Sequence, residues 1–331
     1  MSNNCFVTKN YILVNCYEVE MQKIAAGIVL YNPNDKERLD KCVKSILSQV
    51  DKLYIYDNST EKLDYSFPDS VCYKTDGINH GIATALNEIM RMADFDGYKW
   101  LITMDQDSIM PDDIVQNYSD AIENENDDLA IVCPQVIDKR RKYMEVDSLE
   151  GSKYIDECIT SASCTSIEIW KKIGGFDEWL FIDLVDNEFC KRLVVSGYKI
   201  LRLNYFVLDQ EFGSIEPKGK FLQHFWISLS KIVNNENIAK LSYRKHVNPM
   251  RVYYTCRNII YVNRKLKLYG KTAYSNYNCN GYFGFVISFV IPSFLRADNK
   301  FKVLKAIIKG TKDGLSKEVS EWNSSSINTR G

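Results

Sequence analysis

The chain is short of the residues that most metal and redox proteins depend on. It has three histidines among 331 residues and ten scattered cysteines, with no pair spaced as C-x-x-C. This excludes a zinc knuckle and a disulfide framework and reads as reduced thiols in a cytosolic compartment. Neither G-x-G-x-x-G nor G-x-x-x-x-G-K-[ST] occurs, so neither a dinucleotide fingerprint nor a P-loop is present. The formal net charge is −1, which supplies no global field to draw in nucleic acid. Residues 1–20 lack the basic start and apolar core of a secretory leader. The longest uncharged apolar run, 282–295, is fourteen residues with Pro292 inside it. A spanning helix needs about 20 residues. No internal repeat and no low-complexity tract is found.

What is present is a globular composition, 45% hydrophobic and 26% charged, with 21 tyrosines that suit a cleft stacking on sugars or bases. Residues 24–31 read as a strand ending in Asn32-Pro33-Asn34. Residues 37–50 have helical spacing, with Leu39, Val43, Ile46 and Leu47 on one face. Strands follow at 53–56, 71–74, 100–104 and 129–133. Helices are expected at 82–92 and at 112–124, the latter with Pro111 suited to its first turn. This alternation predicts an α/β fold, a mostly parallel central sheet flanked by helices. The polar clusters at Asn32, Asp57-Asn58, 76–81 and 105–107 would then share the C-terminal edge, where ligands bind in open α/β sheets. In the second half, a helix following Asp183 and Asp186 ends at Gly197, and 199–203 returns as a strand.

Within this frame the run Leu101-Ile102-Thr103-Met104-Asp105-Gln106-Asp107-Ser108 is the most specific feature. Two carboxylates one residue apart at a strand end can bracket one hard cation, and that cation can hold a diphosphate. Asp-x-Asp alone is equally a solvated turn, so the neighbouring blocks decide.

Those blocks are GIVLYNPN at 27–34, DNS at 57–59 with GIATALN at 81–87, MDQDS at 104–108, FIDLVDNEFCKRL at 181–193 and NPMRVYYTCRN at 248–258; the tail KAIIKGTKDGL at 305–315 adds to them. In order and spacing the chain resembles an inverting family 2 glycosyltransferase of GT-A fold, and more narrowly the bacterial rhamnosyltransferases. The resemblance covers about residues 22–315. It implies a GT-A, Rossmann-like domain over residues 21–220, after an N-terminal extension at 1–20. A C-terminal helical region follows at 221–331.

The resemblance also implies roles. Tyr31 would stack on a nucleobase, Asp57 would accept the N3–H of uracil or thymine, and Asn79 would lie near the sugar or phosphates, with Asn87 ordering that loop. Asp105 would face the ribose and metal side, and Asp107 would bind Mg²⁺ or Mn²⁺. Asp186 matches the catalytic base, and Asp183 shares its face if the stretch is helical. Glu188 lies about 200° round and points elsewhere. A helix N-terminus would keep Asp186 ionised. Arg251 and Arg257 are candidates to clamp the diphosphate. Where the family usually carries a His, this chain has Gln210, so a metal would rest on Asp107 and phosphates, or on His246 as substitute.

The implied activity is transfer of a sugar from a nucleoside diphosphate (dTDP or UDP) to an oligosaccharide or lipid-linked acceptor of a surface polysaccharide, with dTDP-L-rhamnose the favoured donor. UDP-hexose or UDP-galactofuranose is the rival donor, and a non-catalytic nucleotide- or carbohydrate-binding module the rival class. A nucleotidyltransferase would carry a Gly-rich basic loop after the first strand, and residues 30–36 have none. Lys300, Lys302, Lys305, Lys309 and Lys312 interleave with Phe301, Leu304 and Ile308, a pattern suited to the cytoplasmic face of the inner membrane.

Overall fold

The computed structural model describes residues 23–61, 63–138, 146, 148–209, 215–234 and 236–326. The expected N-terminal extension and Gln210 lie outside the described residues. Among the described residues ten strands and twelve α-helices follow one another in the order β1 (Ile24–Leu30), α1 (Lys36–Leu47), β2 (Leu53–Asp57), β3 (Val71–Thr75), α2 (Ile82–Phe95), β4 (Trp100–Asp105), α3 (Ile114–Asn124) and β5 (Leu129–Ile137). Then come β6 (Ser152–Ile155), β7 (Ser163–Ser166), α4 (Ile167–Ile173), α5 (Val185–Val195), β8 (Lys199–Asp209), β9 (Ile215–Pro217), α6 (Lys220–Val233), α7 (Glu236–Ala239) and β10 (Tyr243–Lys245). The chain closes with α8 (Pro249–Lys265), α9 (Thr272–Ser275), α10 (Tyr282–Phe285), α11 (Ile291–Arg296) and α12 (Lys300–Ser316), a π-helical segment at Val286–Val290 linking α10 to α11.

Eight strands form one sheet in the order β3-β2-β1-β4-β7-β5-β8-β6. Strands β1 to β4 pair in parallel, as do β5 and β8, while β7 and β6 run against their neighbours. The expected mostly parallel sheet with flanking helices and C-terminal helices is therefore what forms. Alternation along the strands builds two cores. Ile24, Ala26, Ile28 and Leu30 pack with α1 and α3, while Ala25 and Val29 pack with α2, α4, α5 and α8.

Local chemistry sets the helix starts. Asp35 caps α1, its carboxylate accepting the Arg38 amide at 2.9 Å, and Asn248 caps α8 ahead of Pro249. The expected start of α3 at 112 is corrected: Asp113 sits in the left-handed region (φ 59°), so α3 begins at Ile114 and Pro111 stands outside it. All eight described cysteines are free thiols.

Helix α12 lies directly on α8. A Cβ added at Gly310 would come within 2.3 Å of the Tyr253 carbonyl oxygen, and one at Gly314 within 2.5 Å of the Arg257 carbonyl oxygen. A backbone oxygen cannot step aside as a side chain does. Alanine favours a helix interior over glycine by about 1 kcal/mol, so only this contact can make Gly310→Ala unfavourable. We expect Gly310→Ala to lower stability in urea by about 1–3 kcal/mol; a more stable variant would show that the two helices do not approach so closely.

Candidate active site

The C-terminal ends of β1, β2, β3 and β4 point to one edge, and the loops there are cross-braced by short polar side chains. The Asn32 amide donates to Ser59 Oγ at 2.7 Å, and Asn58 Nδ2 donates to the Gly81 carbonyl at 3.0 Å. Asn79 Oδ1 accepts the Gly81 amide at 2.9 Å. Gln106, the middle residue of Asp-Gln-Asp, clasps the end of β1: its Oε1 accepts the Tyr31 amide at 2.8 Å and its Nε2 donates to the Tyr31 carbonyl at 3.3 Å. Arg38 Nε donates to the Asp107 carbonyl at 2.7 Å. Tyr31, Asn32, Asn34, Arg38, Gln106 and Asp107 line a cavity of about 740 Å³. The Tyr31 ring is half exposed there.

Asp57 is buried rather than open. Its carboxylate accepts the Ser59 amide at 2.8 Å and the Tyr73 hydroxyl at 2.6 Å. Burial, and then Asp57 itself, push the Tyr73 phenol up to about 12. A base that donates to Asp57 must displace the Tyr73 hydroxyl.

The second cavity, about 590 Å³, holds the carboxylates expected for chemistry. Asp183 and Asp186 line it with Glu157, Asn187, Arg202 and Arg251. Asp186 is the second residue of α5, and its Oδ1 accepts the Asn187 amide at 3.0 Å. Asn187 Nδ2 in turn donates to Glu157 at 3.0 Å. Desolvation raises the Asp186 carboxyl to about 6, with Asp183 and Glu157 adding to the rise against the backbone hydrogen bonds that lower it. Burial thus outweighs the N–H groups of the helix N-terminus, and a carboxyl at about 6 is still ionised at neutral pH, as expected for Asp186. Ser161 joins the two regions: it lines this cavity, pairs with Ser108 Oγ at 2.8 Å and accepts the Asp105 amide at 3.4 Å.

Asp183 does not share a helical face with Asp186. It precedes α5 with φ 68°, and Leu184 follows with φ 63°, so both occupy the left-handed region. Such residues cost on the order of 1–3 kcal/mol each and persist only where the surroundings hold them. Here α8 holds them. Asn258 Nδ2 donates to the carbonyls of Ile182 and Asp183 at 2.7 and 2.8 Å. Arg251 pairs with the Asp183 carboxylate at 2.6 Å.

Arg257 is buried, its guanidinium 3.8 Å from the Trp179 ring centroid and donating to the Trp179 carbonyl at 2.6 Å. The structure therefore brings Arg251 to the acidic cavity and commits Arg257 to bracing the loop before it. His246 stands near Glu216 and Asp298 and lines neither cavity. Sequence reasoning missed Glu157, Arg38, Tyr73 and Asn258. The last left a signal, since a poor helix former in mid-helix usually has a side-chain task.

Among the described residues no group of three or more His, Cys, Asp or Glu side chains is arranged to hold a metal ion. Asp105 and Asp107 offer two carboxylates. That number suits Mg²⁺ or Mn²⁺, whose remaining positions are filled by phosphate oxygens and water. The donor set fits such an ion in the presence of a diphosphate.

Residues 26–176 match the family model "Glycosyl transferase family 2". The dTDP-rhamnosyl transferase RfbF of Shigella flexneri is 29% identical over 263 residues, covering 73% of this chain and 80% of that protein. A solved structure, GalNAc-T7 with UDP, GalNAc and Mn²⁺, aligns with a TM-score of 0.47 at 10% identity over 83% of this chain, which spans 58% of that chain's length. Residues 26–176, which contain the β1 to β4 edge with its aspartates, are a family 2 glycosyltransferase domain, and the chain is similar over 263 residues to a rhamnosyltransferase.

Proposed function

We propose that the chain is an inverting, metal-dependent transferase that moves L-rhamnose from dTDP-L-rhamnose to a hydroxyl of a growing surface polysaccharide or lipid-linked oligosaccharide. The observation that carries the reading is Asp186 on the wall of the second cavity, with a carboxyl poised at about 6. Such a group is ionised near neutral pH yet basic enough to take a proton. The similarity to RfbF supports the donor.

In this reading Tyr31, Asp57, Asn79 and Asp105 hold the nucleotide side and the acidic cavity takes the acceptor. The acceptor hydroxyl oxygen attacks the sugar's anomeric carbon from the face opposite the diphosphate. Asp186 takes the hydroxyl proton as the new C–O bond forms and the bond to the diphosphate breaks, which inverts the configuration. A divalent cation held by Asp105 and Asp107, when bound, offsets the charge growing on the leaving diphosphate. Arg251 keeps Asp183 charge-paired beside the base. The lysine-flanked apolar stripe of α12 supports a position at the cytoplasmic face of the membrane.

Three outcomes test this. Asp186→Asn should lower turnover by about 10²–10⁴-fold while leaving dTDP affinity unchanged. In the wild type, with Asp183, Glu157 and Arg251 facing the base, the rate should climb through about pH 6 and level off above it, because only the deprotonated carboxylate accepts the proton. A flat profile would remove Asp186 from that role. Nucleoside diphosphate release across a panel of dTDP- and UDP-sugars should be confined to dTDP-rhamnose and abolished by EDTA. Release from a UDP-sugar alone would overturn the donor, and release that survives chelation would overturn the metal.

A further inference from the structure

The described elements between β8 and α8 make their main contacts with one another and form an arm. Its ends are tied by the antiparallel ribbon of β9 and β10, with Ile215 opposite Lys245 and Pro217 opposite Tyr243. Helix α6 starts after Gly219 and makes its principal contacts with α7 and the turn Lys240–Ser242, inside the same arm. Its amphipathic sense is inverted. The buried residues of α6 are polar, Gln223 and Ser230. The outward ones are apolar: Phe221 is 83% exposed, Ile232 81%, and Phe225 and Val233 about half exposed. A surface helix of a globular protein normally turns its apolar stripe to the core. An apolar face left open in this way marks a contact surface.

Charge identifies what the face meets. Residues 218–245 carry Lys218, Lys220, Lys231, Lys240, Arg244 and Lys245 against Glu236 alone. Helix α12 repeats the pattern. Val303, Gly310 and Gly314 are buried against the body, while Phe301, Leu304, Ile308 and Leu315 are exposed. At about 100° per residue those four fall within roughly 60° of arc, with Lys305 and Lys312 on one side and Lys300 on the other. The base of the arm comes close to the chain just ahead of α12. His246, just after β10, lies 3.9 Å from Glu216 on β9 and 3.8 Å from Asp298 in the corner between α11 and α12. Two copies of the chain meeting through these faces would set rows of lysines against each other. An anionic surface complements them.

We propose that α6 and α12 are two prongs of one docking face for an anionic lipid bilayer, with the phenylalanines of α6 seated at the acyl boundary and the lysines at the level of the phosphates. The proposal rests on the membrane-surface position given above for the transferase and adds the arm as the second element that secures it. An amphipathic helix of this kind sinks about 5–10 Å into the interface.

The test is co-sedimentation of the full chain with phosphatidylcholine vesicles, with and without phosphatidylglycerol. Two variants are compared with wild type, Phe221→Ser/Phe225→Ser/Ile232→Ser and Lys220→Glu/Lys231→Glu; light scattering, dTDP affinity and thermal melting are followed in parallel. All five positions are exposed, so folding and dTDP affinity should not change. The wild type should favour phosphatidylglycerol vesicles and release them at high salt. Each variant should bind them at least about tenfold more weakly. Equal binding to neutral vesicles, no vesicle binding, or variants that bind like wild type would overturn the proposal. So would a serine variant that turns a dimer into a monomer without changing vesicle binding, which would make the face a subunit interface. Vesicle binding together with no turnover of any nucleotide sugar would leave the docking face standing and remove the transferase reading instead.

Discussion

The arrangement of the acidic cavity depends on a cluster of charges sealed between α5, α8 and the loop at 177–184. Glu188 has no exposure; it accepts two hydrogen bonds from Arg192, at 2.7 and 2.8 Å, and pairs with Lys265 at 2.7 Å. Lys265 also reaches Asp177 at 2.6 Å, and Tyr261 donates to the same Asp177 oxygen at 2.8 Å. Burying charges is expensive, and such a cluster contributes little net stability over an apolar core of the same shape. Removing one partner, however, strands the others at a cost of about 3–5 kcal/mol. The cluster therefore acts less as glue than as a register lock. It fixes α8 against α5, and α5 presents Asp186 on its first turn.

Once α8 is locked, its other side chains become available as fixed donors. Asn258, with no exposure, holds two consecutive carbonyls of a turn that L-residues seldom adopt. Arg257 braces Trp179, and Tyr254 stacks on Phe181 with centroids 5.0 Å apart. Phe181 then passes the constraint to the donor side, because its carbonyl accepts the Ile82 amide at 2.8 Å at the start of α2. Gly81 stands so close that a Cβ would meet the Phe181 carbonyl oxygen at 2.7 Å, and its φ of +85° suits glycine in any case. A path of direct contacts thus runs from α8 through the 177–184 loop to the loop that follows β3.

Strands β1, β2, β4 and β5 were legible in the sequence because each holds a short, largely apolar run closed by a polar turn, and β1 is buried along its whole length; the short polar strands β6 and β7 were not. The aspartate pair was legible for the same reason: a polar residue at the end of such a strand can only be at an edge. What the sequence could not tell was the competition between environments. At Asp186 the helix N-terminus and desolvation pull in opposite directions, and only the depth of the cavity decides between them. At Arg257 a guanidinium in a block of aromatic residues reads equally as a phosphate clamp or as a stacked brace; the Trp179 ring, 78 residues upstream in the chain, is what makes it a brace. Asp57 likewise looks open in a turn, while Tyr73 from the neighbouring strand covers it.

Two of these three residues, Asp186 and Arg257, lie beyond the family match. It ends at Phe176, one residue before Asp177 enters the buried charge cluster. Before that boundary lie the sheet edge, the cross-braced loops and the aspartate pair, together with Glu157 and Ser161 on the wall of the acidic cavity. Everything after it supplies α5, the strained turn, α8 and the apolar faces of α6 and α12. A transferase that keeps one donor chemistry but must find its acceptor at a surface has reason to divide its chain this way. In the proposed transferase the donor side would use the sheet edge, and the acceptor side would link Asp186 to what the outer helices touch. The close approach of Gly310 and Gly314 to the backbone of α8, and the hydrogen bonds from Asn258 of α8 to the loop ahead of Asp186, connect α12 by direct contacts to the start of α5.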